Sequence, residues 1–214
     1  MRFIISFLAF LTVNIIVAQV GYQITYEKRS VNNTYTRLSE QLSGNDRTRM
    51  ASKDYVIRTF QLTHVNGVSR YKHVSSRYDT TYAGQQYPTG TSTIHYKNLR
   101  SKNEPEILVV SSMRGCERST ELRVERYIIT DSIKMIDDIL VQKAEHRDLP
   151  NVHVWFAPSI SIADGPASIA GFPGLVIDYV GSSHRTIVTN IKQINSNSMP
   201  SIVRPNCPLG EGGE

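Results

Sequence analysis

The sequence predicts a mainly β fold: a single curved antiparallel sheet, half-closed and barrel-like, with at most one or two short helices. Three observations carry that expectation. Apolar and polar residues alternate along most of the chain, the period-two signature of half-buried strands. Short turn signals separate these stretches without regular intervening helical patterns, which favours antiparallel pairing. Eleven Tyr and six Phe in 214 residues supply strand-forming aromatic side chains. A 40% apolar and 20% charged composition excludes collagen, coiled coil, polytopic membrane protein and disulfide-dense miniprotein. Lys and Arg outnumber Asp and Glu by 24 to 19, a net charge of +5.

The first element is an export signal, residues 1–18. Arg2 gives a positive start, and Phe3 to Val17 is apolar apart from Ser6, Thr12 and Asn14. Those fifteen residues fall short of the roughly 20 a spanning helix needs. Ala18, with Ile16 two positions earlier, offers a cleavage site, so the mature chain is expected to begin near Gln19 with a charge of +4 once Arg2 is lost. An uncleaved N-terminal anchor is the alternative. No cysteine follows the cleavage point to carry a lipid, and no later segment approaches membrane-spanning length. Export to an oxidising compartment makes a bridge between Cys116 and Cys207 a reasonable pairing, with two unpaired thiols as the alternative.

Residues 19–198 form the β-rich domain. Val20, Tyr22, Ile24 and Tyr26 alternate with polar neighbours as a first strand. Thr34 to Arg49 is polar and reads as a loop or a short helix. Asp54 to Val65 resumes the alternation, and Asn66-Gly67 supplies the two positive φ angles of a type I′ turn, so a hairpin continues through Tyr71 to Val74. Gly84 to Gly90 reads as a loop around Pro88, followed by strands at Thr93–Leu99 and Ile107–Met113. Arg114 to Ile129 alternates, with Leu122, Val124 and Ile128 on a shared face; Ser132 to Val141 fits helix or strand. Val152 to Phe156 is a strand that Pro158 stops, and a last hairpin joins Leu175–Val180 to Thr186–Ile194 across Gly181-Ser182-Ser183. Residues 199–214, rich in Pro and Gly, are expected to be irregular.

One segment is more specific. Asp164-Gly165-Pro166 is a turn cluster, followed by Gly171-Phe172-Pro173-Gly174-Leu175-Val176. Pro173 and Gly174 suit the central positions of a type II turn over Phe172 to Leu175, which would set the register of the buried strand after it. Here the chain resembles the GLPGLI family of exported Bacteroidota proteins, named for this hexapeptide. Val154-Trp155-Phe156, Gly165-Pro166 and Gly171 to Val176 follow the family order, and Ile24-Thr25-Tyr26-Glu27 is similar to its opening strand. Phe172 stands for Leu and Val176 for Ile, while Val141 occupies the place of a cysteine frequent in the family. The resemblance is specific over roughly residues 152–191. It implies an exported, curved antiparallel sheet and no settled activity, with a looser analogy to lipoprotein-carrier half-barrels.

The chemistry-bearing residues point away from catalysis. The six histidines, at 64, 73, 95, 146, 153 and 184, lack metal-ligand spacing, and no metal or cofactor motif is present. Gly-x-Ser-x-Gly and Cys–His nucleophile signatures are absent. Adjacent Asp137 and Asp138 make a poor acid/base pair, and Asp164 suits a turn cap. Arg114, Arg118, Arg123 and Arg126 are interleaved with Glu117, Glu121 and Glu125, a self-compensated face that excludes nucleic acid as a partner. Asp79-Thr80-Thr81 and Asp131-Ser132-Ile133 fit the O-glycosylation pattern that the family placement implies.

Tyr71, Tyr78, Tyr82, Tyr87 and Tyr96 crowd one third of the chain. Together with Trp155 and Phe156, Tyr71 and Tyr96 are the candidate ligand or partner contacts. The expected function is a non-catalytic, envelope-associated binding or accessory protein, in the periplasm or at the cell surface. It would hold an apolar ligand, a peptide, a lipid-like molecule or an envelope protein on a concave sheet. The alternatives are a secreted hydrolase or metal-dependent enzyme using His153 and Asp164, and a purely structural part of a surface complex.

Overall fold

The computed structural model describes residues 20–31, 34–79, 93–100, 105–111, 115–119, 122–195, 202, 203 and 205. The expected export signal, most of the tail with Cys207, the Gly84–Gly90 stretch, Tyr82, Tyr87 and the Thr80-Thr81 pair lie outside them. The protein is mainly β, built on one antiparallel sheet of eleven strands. Its elements are β1 (Val20–Ser30), α1 (Thr34–Ser39), α2 (Gly44–Ala51), β2 (Val56–Val65), β3 (Val68–Tyr78), β4 (Thr93–Asn98), β5 (Glu106–Ser111), β6 (Gly115–Ser119), β7 (Tyr127–Ile136), β8 (Ile139–His146), β9 (His153–Ala157), β10 (Leu175–Val180) and β11 (His184–Asn195). Among the described residues no helix is long and apolar enough to cross a membrane.

Strand order explains the curvature. It runs β6-β5-β4-β3-β2-β1-β11-β10-β9-β8-β7, so the two edge strands, β6 and β7, are neighbours in sequence. Ten strand spacings of about 4.8 Å would hold the edges of a flat sheet roughly 48 Å apart. Eight residue steps from Ser119 to Tyr127 reach at most about 29 Å. The sheet must therefore curl until its edges approach, and it stays unclosed because β6 and β7 are not paired.

Turn chemistry sets the hairpins. Asn66 and Gly67 have φ of 49° and 75°, as a type I′ turn requires. The segment ambiguous between helix and strand is a second such hairpin, β7–β8, turning at Asp137 (φ 44°) and Asp138 (φ 62°). Arg114 to Ile129 is not one alternating face: β6 ends at Ser119, a single 3-10 turn spans Arg123–Arg126, and β7 begins at Tyr127. Val124 packs on the core while Ile128 is 55% exposed, because the chain here passes from one sheet edge to the other. The polar stretch after β1 folds into α1 and α2. The Asp54 carboxylate accepts the backbone N–H groups of Tyr35 (3.0 Å) and Thr36 (2.6 Å) at the start of α1, as well as the Ser30 hydroxyl.

Residues 158–174 form a long loop between β9 and β10. Successive three-residue turns close it tightly: Ile162 N–H donates to the Ile160 carbonyl, and Asp164 N–H to that of Ile162, each at 2.7 Å. The proline–glycine turn belongs to the same type. Gly174 N–H donates to the Phe172 carbonyl at 2.8 Å, a turn closed around Pro173, and Leu175 N–H goes instead to Ile160. The expected type II turn is thus replaced, because the loop claims the donor that would have closed it. A Cβ on Gly174 would overlap the Ala157 carbonyl, so no other residue fits that position.

Two apolar clusters join loop and sheet. Ile162 packs with Ile24, Tyr26, Leu62, Tyr71 and Leu175. Phe172 and Ile169 pack with Tyr127, Val154, Phe156 and Val176, and the Phe172 ring lies 5.3 Å from Tyr127 and 5.7 Å from Phe156.

Candidate functional site

Alternation along β1 puts Tyr22, Ile24, Tyr26 and Lys28 on one face, and directly opposed residues on neighbouring strands extend each into a row. Tyr22 opposes His64, His64 opposes Ser69, and Ser69 opposes Lys97. Ile24 begins the row Leu62, Tyr71, His95; Tyr26 begins Phe60, His73; Lys28 begins Arg58, Ser76. The face therefore passes from a buried polar row, through an aromatic middle, to two adjacent cations.

The loop settles on the first row. Lys97 and Asp164 have no exposed side-chain surface and form an ion pair through Asp164 Oδ1. Lys97 Nζ also donates to the Gly165 carbonyl at 2.6 Å, Gly165 N–H donates to Asp164 Oδ1 at 2.7 Å, and His64 Nδ1 donates to Asp164 Oδ2 at 3.1 Å. Burial alone would raise the Asp164 proton affinity, but the Lys97 charge and the His64 hydrogen bond outweigh it and hold the carboxyl below its usual range. Beside it, the Tyr26 hydroxyl donates to the Val176 carbonyl at 2.8 Å; burial first, then the Asp164 charge, raises its proton affinity. Every ligand of Asp164 is internal, so this cluster fastens the loop to β2 and β4.

The open part of the face forms a cleft of about 410 Å³. Phe60 and Tyr71 stack on one wall, 5.0 Å apart and 7° from parallel, with His95 edge-on to Tyr71 at 5.9 Å. Pro166 and Ala167 of the fastened loop contribute one side, Tyr179 and His184 another, and Lys28 and Arg58 stand at one end. Burial and the neighbouring Arg58 charge push the Lys28 amine down to about 8. His95 is pushed down to about 4 by burial, then by Lys97, Arg123 and Lys28; His184 reaches about 4 through burial, Lys28 and Arg58. His95 Nδ1 is buried with no hydrogen-bond partner among the described residues, while His73 Nε2 and Ser76 Oγ share a 2.7 Å bond.

The sequence-derived candidates are dispersed. Tyr71 lines the cleft. Tyr96 opposes Arg70 and Leu108, alternating away from His95 and Lys97. Phe156 is fully buried in the second apolar cluster. Trp155 lies in a separate cleft of about 500 Å³ with His153, Asp178 and Arg185, and its ring is covered by Lys134 Nζ at 4.0 Å. There Arg185 grips Asp178 through two bonds of 2.9 and 2.7 Å. Among the described residues His153 and Asp164 share no partner, and His153 lines the second cleft while Asp164 is buried in the loop anchor. Gly165 and Pro166 join loop anchor and cleft wall; Gly171 and Pro173 lie farther along the loop, Pro173 exposed. Cys116, in β6, is not a free thiol.

Lys28, Arg58, His64, Lys97 and His184 escape the sequence reading. In β4 the alternation favours Ile94 and Tyr96 as the inward pair, whereas His95 and Lys97 face the loop and cleft. A signal existed in Asp164, an acid in a turn cluster close to a buried strand, which calls for a cationic partner. No group of three or more metal-ligating side chains forms among the described residues. Comparison with known families, curated proteins and solved structures finds nothing that matches this chain.

Proposed function

We propose that this chain is an exported, envelope-associated binding protein of the GLPGLI kind, without intrinsic catalysis, that holds its ligand in the cleft beside Tyr71. The observation that carries this reading is the cleft itself. It combines a stacked aromatic wall, converging polar groups and a rigid loop wall, within the roughly 300–1,000 Å³ range of small-ligand sites. The glycine–proline hexapeptide supports the family placement, and the apolar N-terminal run supports export. The loop fastened by Lys97 and Asp164 gives the cleft a preformed wall, which lowers the ordering cost of binding.

The test is thermal denaturation of the purified chain with a panel of small hydrophobic and amphiphilic compounds, beside the Ala167→Trp variant that fills the cleft. A ligand that raises Tm in the parent and not in the filled variant supports the reading. A panel without effect on either protein rejects it.

A further inference from the structure

We infer that the cleft selects a small amphiphilic anion, an acidic group carried on a flat apolar body, with the acid seated at Lys28 and the body against the Phe60–Tyr71 stack. This rests on the cleft being the binding site and adds the chemical class of its ligand.

The charge distribution carries the inference. Among the described residues lining the cleft there is no Asp or Glu, while Lys28 and Arg58 oppose each other on neighbouring strands. Lys28 is half-buried and forms no ion pair or hydrogen bond among the described residues. Partial burial of an unpaired cation carries a desolvation cost that an opposite charge would offset. The neighbours do the reverse: among the described residues the charge acting on Lys28 is that of Arg58, and Lys28 and Arg58 together oppose protonation of His184. In the second cleft, by contrast with Lys28, Arg185 is paired with Asp178 and Lys134 lies over the Trp155 face. An incoming anion would supply the opposite charge that Lys28 lacks among the described residues. The Phe60 and Tyr71 rings form a flat apolar surface on the same wall, suited to an aromatic or short hydrocarbon body. Tyr179 and Thr186 also line the cleft.

The experiment compares two fluorescent probes with nearly the same ring system, titrated into the purified chain. Anilinonaphthalene sulfonate carries an anion; N-phenyl-1-naphthylamine is neutral. The expected result is saturable 1:1 binding of the sulfonate at least about ten-fold tighter than the neutral probe. Lys28→Met should weaken the sulfonate about ten-fold and leave the neutral probe within about two-fold, while Lys28→Arg retains sulfonate binding. Near-UV circular dichroism verifies that each variant is folded, and the probe preference of the parent needs no variant. Equal affinity for both probes, or sulfonate binding indifferent to Lys28→Met, overturns the anion inference and leaves the binding cleft standing. Binding of neither probe overturns both.

Discussion

Lys97 of β4 is bonded to Asp164 of the β9–β10 loop, and neither side chain has any exposed surface. With Gly165 and His64 completing the shell, one carboxylate links two strands to the loop that walls the cleft. Removing one partner strands the other charge in the interior. Asp164→Leu should cost about 3–5 kcal/mol in chemical denaturation, whereas the double variant Lys97→Met/Asp164→Leu should recover much of that loss. A double variant as unstable as the single one would contradict the ion-pair account.

Acid should weaken the fold earlier than carboxylates alone would. Asp164 has a depressed proton affinity when folded, so its contribution is complete above the unfolded carboxyl range near ~4 and is lost below it. His95 and His184, held down to about 4, bind protons more readily when unfolded, so they remove stability as pH falls from ~6.5 towards 4. The signs agree. Tm should be level near neutrality, decline below about pH 6.5, and decline less in His95→Phe; a flat profile down to pH 5 would count against buried neutral histidines.

The proline–glycine turn divides into a sensitive and a tolerant position. Gly174→Ala forces a methyl group into the Ala157 carbonyl and should destabilise by at least about 3 kcal/mol, as read by urea denaturation. Pro173 is exposed, and Pro173→Ala should cost no more than about 1 kcal/mol, through freedom gained by the unfolded chain. Equal costs at both positions would refute this division.

Bridging of Cys116 to Cys207 would close a loop of about 91 residues, which chain entropy values at roughly 4–5 kcal/mol. Denatured, unreduced protein is expected to release no free thiol, and reduction should lower the denaturation midpoint. Two titratable thiols before reduction would dismiss the bridge.

If residues 1–18 direct export as proposed, mass spectrometry of the protein recovered from its native cells should find an N-terminus close to Gln19. An intact Met1 would instead identify an uncleaved anchor.

The architecture was legible in the sequence because period-two alternation and turn dipeptides act locally. Asn66-Gly67 announces its hairpin through residues that adopt positive φ readily. Asp137-Asp138 turns in the same way, but paired acids read first as chemistry, and the flanking Ile133, Ile136 and Leu140 also suit helical spacing. What was not legible depends on partners far along the chain. Lys97 looks like a solvated strand lysine until the loop delivers Asp164, and Lys28 and Arg58 become neighbours only through strand register. The proline–glycine turn was located but mistyped, because the Ile160 carbonyl that takes the Leu175 donor is supplied by the fold of the loop.

Val20 and Asn195 are direct partners on adjoining strands, while the sheet's unpaired borders are consecutive in the chain. Joining the ends of β1 and β11 by a short linker and cutting between Ser119 and Leu122 would convert the topology into an uninterrupted zigzag, with each strand paired to its immediate successor. The same strand contacts would then be rewired without a long-range closure step. With Cys116 replaced by Ser, since the linker removes Cys207, such a circular permutant should assemble faster than the parent carrying the same replacement.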